Sequence, residues 1–320
     1  MTESTNHHLL DIHNLDVSFE QHKGIAHALR GIDLSLKSGE IHALVGESGS
    51  GKTVTSMSVM GLLITPPCRV NGGEIIFQGR NLLRLSENDR RKVRGKDIGM
   101  IFQEPGKYLN PAYKIGEQIT ETLILHYNMT RKSAVAQALE FLNLVGLGKN
   151  KRVLNSYPHE LFGGMKQRAM IAMSVACHPA LLIADEPTTA LDVTLQLQIL
   201  KLIQNLKDKF SMGVLFISHD LGVVKEIAER TSVIYAGKIV ESATRQQLFE
   251  NPIHPYTKLL LLSIPDAAKR GTRLRAIPGT VPDAENIPGG CSFHPRCPLV
   301  EEGCRREIPP TIDYGDGHKA

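Results

Sequence analysis

GESGSGKT at residues 46–53 is the stretch of this sequence that says most about its fold. It fits the pattern G-x-x-x-x-G-K-[ST], with Gly46, Gly51, Lys52 and Thr53 at the fixed places. The apolar run IHALVG directly before it predicts a buried strand, and the residues after it predict a helix that continues to residue 63. In a loop of this kind, backbone N–H groups point inward and hold phosphate oxygens.

We therefore predict that these residues, called the phosphate loop below, bind ATP. The lysine supplies positive charge to the β- and γ-phosphates, and the threonine hydroxyl is the expected Mg²⁺ ligand. The predicted nucleotide contacts are Gly46, Glu47, Ser48, Gly49, Ser50, Gly51, Lys52 and Thr53.

A pair of acids follows the apolar run LLIA and completes the sequence LLIADE at residues 181–186. A buried strand that ends in Asp185 suits a Mg²⁺ ligand, and Glu186 suits a general base that orients water for attack on the γ-phosphate. Gln103 closes the strand DIGMIFQ and is a candidate to reach Mg²⁺ or that water. His219 follows the strand GVLFIS and is a candidate to contact the γ-phosphate. The plainer alternatives are an ordinary strand-end glutamine and a histidine that caps a helix.

The bulk composition is that of an ordinary globular protein, with 42% apolar and 22% charged residues in a chain of 320. A net charge of +4 is too small to indicate nucleic-acid binding, and the densest basic run, at residues 90–96, is typical of a solvated face. The first residues carry no apolar signal region, and no apolar run approaches the length of a membrane span. We therefore expect a soluble, cytoplasmic protein.

Strands and helices alternate after residue 181, which predicts an α/β fold with a parallel sheet covered by helices. The middle of the chain is helical, with Thr130 as the predicted cap of one helix and a second helix beginning at Met165. Proline and glycine become frequent after residue 251. We predict a main domain at residues 1–250 and a small appendage at residues 251–320.

Taken together, these motifs resemble those of the ATP-binding subunits of ABC transporters, in the same order along the chain. On this resemblance residues 46–53 are the Walker A motif, 181–186 the Walker B motif and 161–165 the signature segment. Gln103 is then the Q-loop residue, His219 the switch histidine, and residues 190–192 the D-loop, with Asp192 near the nucleotide.

The resemblance implies a P-loop NTPase fold. This is a RecA-like core with an antiparallel β subdomain, a helical subdomain at about residues 104–178 and the C-terminal appendage. It also implies a Mg²⁺-dependent ATPase. Phe19 lies where the family places an aromatic that stacks on adenine, and the alternative is an ordinary core phenylalanine.

Four further stretches look like the oligopeptide and dipeptide importers of this family: FQEP…LNP at 102–111, YPHEL at 157–161, NPIHPYT at 251–257 and PGGCSFHPRCP…C at 288–304. In that branch two ATPase subunits pair head to tail on the cytoplasmic face of the cell membrane. They drive two transmembrane permease subunits, to which an extracytoplasmic binding protein delivers peptide. Nickel and glutathione importers have similar ATPases, and a weakly hydrolysing regulatory subunit is a further alternative. No nucleic-acid partner is expected.

The signature segment departs from the family at one position, where it reads LFGGM instead of LSGGQ or LSGGM. Phe162 cannot donate the hydrogen bond that the serine hydroxyl would give to the γ-phosphate of a partner's ATP. The N–H groups of Gly163 and Gly164 still suit an anion. We therefore favour a heterodimer with one strong and one weak ATPase site. The alternative is a tolerated variant with little effect.

Three of the five cysteines lie close together near the C-terminus: Cys291, Cys297 and Cys304. Their spacing is not that of a zinc ribbon. In the importers that this chain resembles, the region can hold a [4Fe–4S] cluster, which normally takes four thiolates. His294 or His318 is a candidate fourth ligand, and the alternative is three free thiols.

Overall fold

The computed structural model describes residues 8–22, 24–189, 191–264 and 277–320. They fall into two compact units. The first unit comprises Met1–Leu36, Ile41–Leu83 and Ile217–Ala320, and the second comprises Lys37–Glu40 and Arg84–Phe216. The domain boundaries expected at residues 104, 178 and 250 stay predictions.

In chain order, the strands of the described residues are β1 (Leu10–Gln21), β2 (Gly24–Leu36), β3 (Ile41–Val45), β4 (Cys68–Phe77), β5 (Arg80–Asn81), β6 (Ile98–Ile101), β7 (Leu181–Asp185), β8 (Gly213–Ser218), β9 (Arg230–Tyr235) and β10 (Lys238–Thr244). The helices are α1 (Lys52–Met60), α2 (Glu87–Val93), α3 (Pro105–Tyr108), α4 (Ile115–Tyr127), α5 (Arg131–Leu144), α6 (Lys151–Asn155), α7 (Gly163–Val175), α8 (Val193–Phe210), α9 (Leu221–Ile227), α10 (Arg245–Glu250), α11 (Pro255–Leu262) and α12 (Glu302–Arg306). Short 3₁₀ turns cover Leu82–Arg84, Pro158–Glu160 and His294–Arg296.

The first unit contains an antiparallel sheet with the strand order β2-β1-β4-β5. Its apolar face is fully buried, with Leu10, Ile12, Leu15 and Val17 of β1 at 0% exposure. The sequence suggests short strands here, but β1 and β2 are 12 and 13 residues long. They pair over nearly their whole length, from Leu10 opposite Leu36 to Gln21 opposite Gly24.

Also in the first unit, β3 pairs parallel with β9, and β9 pairs antiparallel with β10. Every residue of β3 is buried, as expected for a strand covered on both faces. The phosphate loop connects β3 to α1. This helix ends earlier than predicted, at Gly61, whose left-handed φ of 60° lets its N–H donate to the carbonyls of Met57 and Ser58.

The second unit places β6 parallel to β7, with Ile98 opposite Leu181 and Ile101 opposite Ala184. Helices fill residues 105–175. The predicted cap at Thr130 is confirmed, because its side chain accepts a hydrogen bond from the N–H of Ser133. Helix α7 begins at Gly163, two residues before the predicted start. None of the helices in the described ranges combines the length and the hydropathy that a bilayer crossing needs.

Candidate ATP-binding site

The phosphate loop follows a path that only glycine permits at two positions. A Cβ atom on Gly46 would collide with the carbonyl oxygen of Ile234, and one on Gly51 would lie 2.8 Å from the carbonyl oxygen of Ala28. Gly51 also has a φ of 111°, which other residues rarely adopt. Neighbouring backbone on β2 and β9 therefore fixes the shape of the loop.

Lys52 lies inside this loop, at 5% exposure. Its ammonium group donates to the carbonyl oxygens of Gly46, at 2.8 Å, and Glu47, at 3.0 Å. Thr53, the next residue, is exposed at the start of α1. A cation within a curled backbone, beside an exposed hydroxyl at a helix N-terminus, is an arrangement that fits a phosphate group and a Mg²⁺ ion.

Two side chains that the sequence did not assign to this site hold Glu47. The hydroxyl of Tyr256 accepts a hydrogen bond from the Glu47 N–H at 3.1 Å. The guanidinium of Arg296 donates to both carboxylate oxygens, at 2.8 and 3.0 Å. These residues lie 209 and 249 positions away along the chain, and no local pattern connects them to the loop.

The acidic pair stands in the second unit. Asp185 ends the fully buried strand β7 and is 3% exposed. Glu186 has a φ of 47°, which is uncommon outside glycine and turns its side chain at the strand end. Its Oε2 accepts hydrogen bonds from Gln103 Nε2, at 2.9 Å, and from the Thr189 hydroxyl, at 3.0 Å. The structure thus brings together Glu186 and Gln103. It also adds Thr189, which no sequence motif identifies, since its hydroxyl simply lies three residues after Glu186.

The signature segment, also in the second unit, is exposed to solvent at Phe162 and Gly163. Phe162 is 82% exposed and precedes α7 without forming a side-chain cap, where serine would supply one. A Cβ on Gly163 would meet nothing within 4 Å. Gln167, one turn into the helix, is buried and donates to the Pro187 carbonyl at 2.8 Å, so α7 is tied to the loop that follows the acidic pair.

A family model described as ABC transporter matches residues 29–189. The chain belongs to the ABC transporter family. A second model, the C-terminal region of oligopeptide/dipeptide transporters, matches residues 240–304, so the predicted branch of the family is confirmed as well.

The relatives and solved structures agree with this assignment. A probable peptide ABC transporter ATP-binding protein of Sinorhizobium fredii is 50% identical over 98% of this chain and 93% of its own length. The oligopeptide transport ATP-binding protein AppD of Bacillus subtilis is 48% identical over 97% of this chain and 94% of its own. A dimeric bacterial ABC transporter cassette superposes with a TM-score of 0.67 at 27% identity, and the match covers 74% of this chain and 98% of that one. The same cassette in a post-hydrolysis state, with ADP and Pi, gives 0.66. The predictions of an ABC ATPase fold and of a transport ATPase that binds ATP are confirmed.

The remaining ABC motifs are placed as follows, and their roles stay predictions. His219 is exposed directly after β8. Asp192 is exposed and caps α8, since its Oδ1 accepts from the Leu195 N–H at 3.0 Å. Ala190, in the predicted D-loop, lies outside the described residues. Phe19 is half-buried on β1, opposite Ala26 and Cys68.

The predicted cluster ligands Cys291, Cys297 and Cys304 are half-buried. Burial raises the pKa of Cys297, and nearby Cys291 and Cys304 raise it further. Within the described residues, however, no group of three or more His, Cys, Asp or Glu side chains is arranged to hold a metal ion. The thiols as they stand do not form a metal site.

Both histidines considered as a fourth ligand have other partners. His318 is buried, and its Nε2 lies 2.8 Å from Oε1 of Glu241. The Nδ1 of His294 lies 3.0 Å from the Cys291 carbonyl oxygen. The iron–sulfur prediction therefore has no support from the arrangement of these residues.

Proposed function

We propose that this chain binds MgATP through the phosphate loop and hydrolyses it to drive the import of di- or oligopeptides through an ABC transporter. The observation that carries the proposal is the Lys52 ammonium held inside a loop whose shape requires Gly46 and Gly51. The peptide cargo is supported by the names of the relatives, among them a dipeptide transport ATP-binding protein of Bacillus subtilis that is 46% identical.

In this proposal the predicted residues divide between phosphate binding, Mg²⁺ binding and catalysis. Lys52 binds the β- and γ-phosphates, and the loop N–H groups bind their oxygens. Thr53, Asp185 and Gln103 would hold Mg²⁺, which would supply neutralising positive charge at the transferred phosphoryl group. Glu186 orients the attacking water, and the bond from Gln103 supports this role because it fixes the carboxylate. The remaining contacts with the nucleotide are assigned to Phe19, His219, Asp192, Gly163 and Gly164.

The partners are a second ATPase subunit, two transmembrane permease subunits and an extracytoplasmic binding protein, with this chain on the cytoplasmic face of the cell membrane. A heterodimer is favoured because Phe162 leaves this chain's own signature segment without the serine hydroxyl. Purification from membranes tests the assembly: permease subunits and a second, serine-containing ATPase should be recovered with the chain. Recovery of a homodimer alone would contradict it.

ATP-dependent uptake in cells tests the cargo. Labelled di- and tripeptides should be taken up in a manner that needs this chain, whereas nickel uptake should not depend on it. Glutathione is itself a tripeptide, so it is used as a competitor of the labelled peptides. A dedicated glutathione importer would take up glutathione in preference to them, whereas a general peptide importer would not. A cluster on the three cysteines stays a prediction, for which visible absorbance after anaerobic purification is the measurement.

The Lys52→Ala variant tests the nucleotide site. Loss of a charged donor to phosphate should weaken ATP binding by about 100-fold, as measured by titration calorimetry. Lys132→Ala removes an exposed lysine from α5 and serves as the matched control. Wild-type affinity in Lys52→Ala would refute the assignment of the phosphate loop.

A further inference from the structure

The C-terminal segment, residues 277–320, is part of the first unit and includes a short 3₁₀ turn. The 3₁₀ turn His294–Arg296 has Pro295 near its start, and its last residue donates its N–H to the carbonyl of Phe293 at 3.0 Å. Phe293 is 1% exposed and packs against the rings of Tyr235 and Tyr256, with centroids 5.2 Å away in both cases. This aromatic cluster fixes where the turn lies, and thereby where Arg296 lies.

Arg296 is almost entirely buried, at 8% exposure, and all three of its guanidinium nitrogens donate hydrogen bonds. Its Nε donates to the Pro278 carbonyl at 2.8 Å, and both terminal nitrogens donate to Glu47. The guanidinium also lies 5.7 Å from the centroid of the Tyr235 ring. A bidentate pair with this geometry is directional, so Arg296 determines the position of the Glu47 carboxylate.

Glu47 is the second residue of the phosphate loop, and it is held at each of its polar groups. Tyr256 accepts from its N–H, and Arg296 donates to its carboxylate. Its carbonyl oxygen accepts from the Lys52 ammonium and from the Ser50 N–H, at 3.0 and 3.2 Å. Glu47 therefore connects the Arg296 guanidinium, through its side chain and backbone, to the Lys52 ammonium.

A partly buried ion pair such as this one is not by itself evidence of function, because ion pairs often contribute little net stability. The distinction here is the location of the carboxylate. It belongs to a loop residue whose backbone contacts the predicted phosphate-binding lysine, while the arginine belongs to the appendage. The same segment carries a pair between Arg306 and Glu302, at 2.8 Å, whose side chains are 74% and 70% exposed.

We propose that Arg296 is a positioning residue for ATP binding: the C-terminal segment holds the phosphate loop in its binding shape through the bond from Arg296 to Glu47. This rests on the proposed function of the loop. Without Arg296, Glu47 would keep its bond to Tyr256 but lose the two bonds that set its carboxylate, and the loop would sample other shapes.

The test is a double-variant cycle of Arg296→Gln, Glu47→Gln and the two together, with ATP dissociation constants and melting temperatures for each. Each single variant should weaken ATP binding by about ten-fold, and the double variant should be no worse than either single one, since both break the same contact. Arg296→Lys should recover part of the affinity. In steady-state hydrolysis the KM for ATP should rise while kcat changes little. Arg306→Gln, which breaks the exposed pair, is the control and should bind ATP like the wild type.

Two results would overturn the inference. One is wild-type ATP affinity in Arg296→Gln and Glu47→Gln, whether or not the melting temperature falls, since that marks a contact that serves stability alone. The other is independent, additive losses in the cycle. The Lys52→Ala variant keeps the proposals distinguishable. If that variant retains ATP binding, the proposed site and this inference fail together. If it loses ATP binding while Arg296→Gln does not, the inference fails alone.

Discussion

The phosphate loop and the signature segment are both glycine-rich entries to a helix, yet their surroundings are opposite. In the phosphate loop, Gly46 and Gly51 are packed against backbone of the same unit, and Lys52 is buried. In the signature segment Phe162 is 82% exposed, and a side chain on Gly163 would meet open space. Both offer N–H groups at a helix start, which suits an anion.

The two helix starts therefore differ in how far contacts within their own unit constrain them. The loop is shaped by contacts with β2, β9 and the C-terminal segment, all in the first unit. The signature segment has a helix start without comparable contacts around Gly163, and the Phe162 ring is exposed, whereas Leu161 before it is buried. This supports the proposal that the signature segment acts on nucleotide supplied by another subunit.

The largest expected effect comes from a variant that separates binding at the loop from hydrolysis. Glu186→Gln removes the predicted base and keeps the size of the side chain. We expect hydrolysis to fall by about 100- to 10,000-fold, because general-base catalysis is worth that much, while ATP affinity stays near that of the wild type. Phosphate release and nucleotide titration measure the two quantities.

Glu140→Gln is the control for this variant, since it removes an exposed carboxylate of the same unit that pairs with Lys149 in a surface contact of 2.6 Å. It should hydrolyse ATP at the wild-type rate. Substantial hydrolysis by Glu186→Gln would assign the role of base to another residue.

The sequence predicts best those elements whose pattern is local. The strand before the phosphate loop and the strands that contain LLIA and GVLFIS, at 181–185 and 213–218, appear where apolar runs place them. The antiparallel sheet was harder to predict because β1 carries a register shift between Ile12 and Leu15, and Asn14 has a φ of 45°. Such a bulge interrupts the alternation of apolar and polar residues, so one long strand looks like two short ones.

The residues of the candidate site also differ in whether a local pattern predicts them. Short motifs identify Lys52, Glu186 and Gln103, because the chemistry of phosphate and Mg²⁺ demands those residue types in a fixed order. The contact between Gln103 and Glu186 spans 83 positions, and that between Arg296 and Glu47 spans 249. Pairings at such separations depend on the packed fold, which local patterns do not encode.

A pair of alanine substitutions tests the comparison directly. Gly46→Ala forces a methyl group against the Ile234 carbonyl and should lower the free energy of unfolding by about 1–3 kcal/mol. Gly163→Ala fills open space and should change it by less than about 0.5 kcal/mol. Urea unfolding of both variants measures the difference. Equal losses would mean that the two helix starts are equally constrained.

The smallest expected effect concerns Phe162 itself. Phe162→Ser introduces the hydroxyl that the resemblance implies at this position of the signature segment, and in a heterodimer it should raise total ATPase activity by about two-fold at most, because the other site already turns over. Phe162→Ala separates the two roles of the ring. If alanine raises the rate as much as serine does, the phenyl group obstructs the phosphate; if only serine does, the missing hydrogen bond is the cause. Val193→Ser, which replaces another exposed apolar side chain of the second unit at 73% exposure, is the control.

The reconstituted pair must be used, since the isolated chain would have Phe162 in both sites of a homodimer. An unchanged rate in the pair with both Phe162→Ser and Phe162→Ala would show that the exposed phenylalanine is a tolerated variant, and the proposed asymmetry of the two sites would then be wrong.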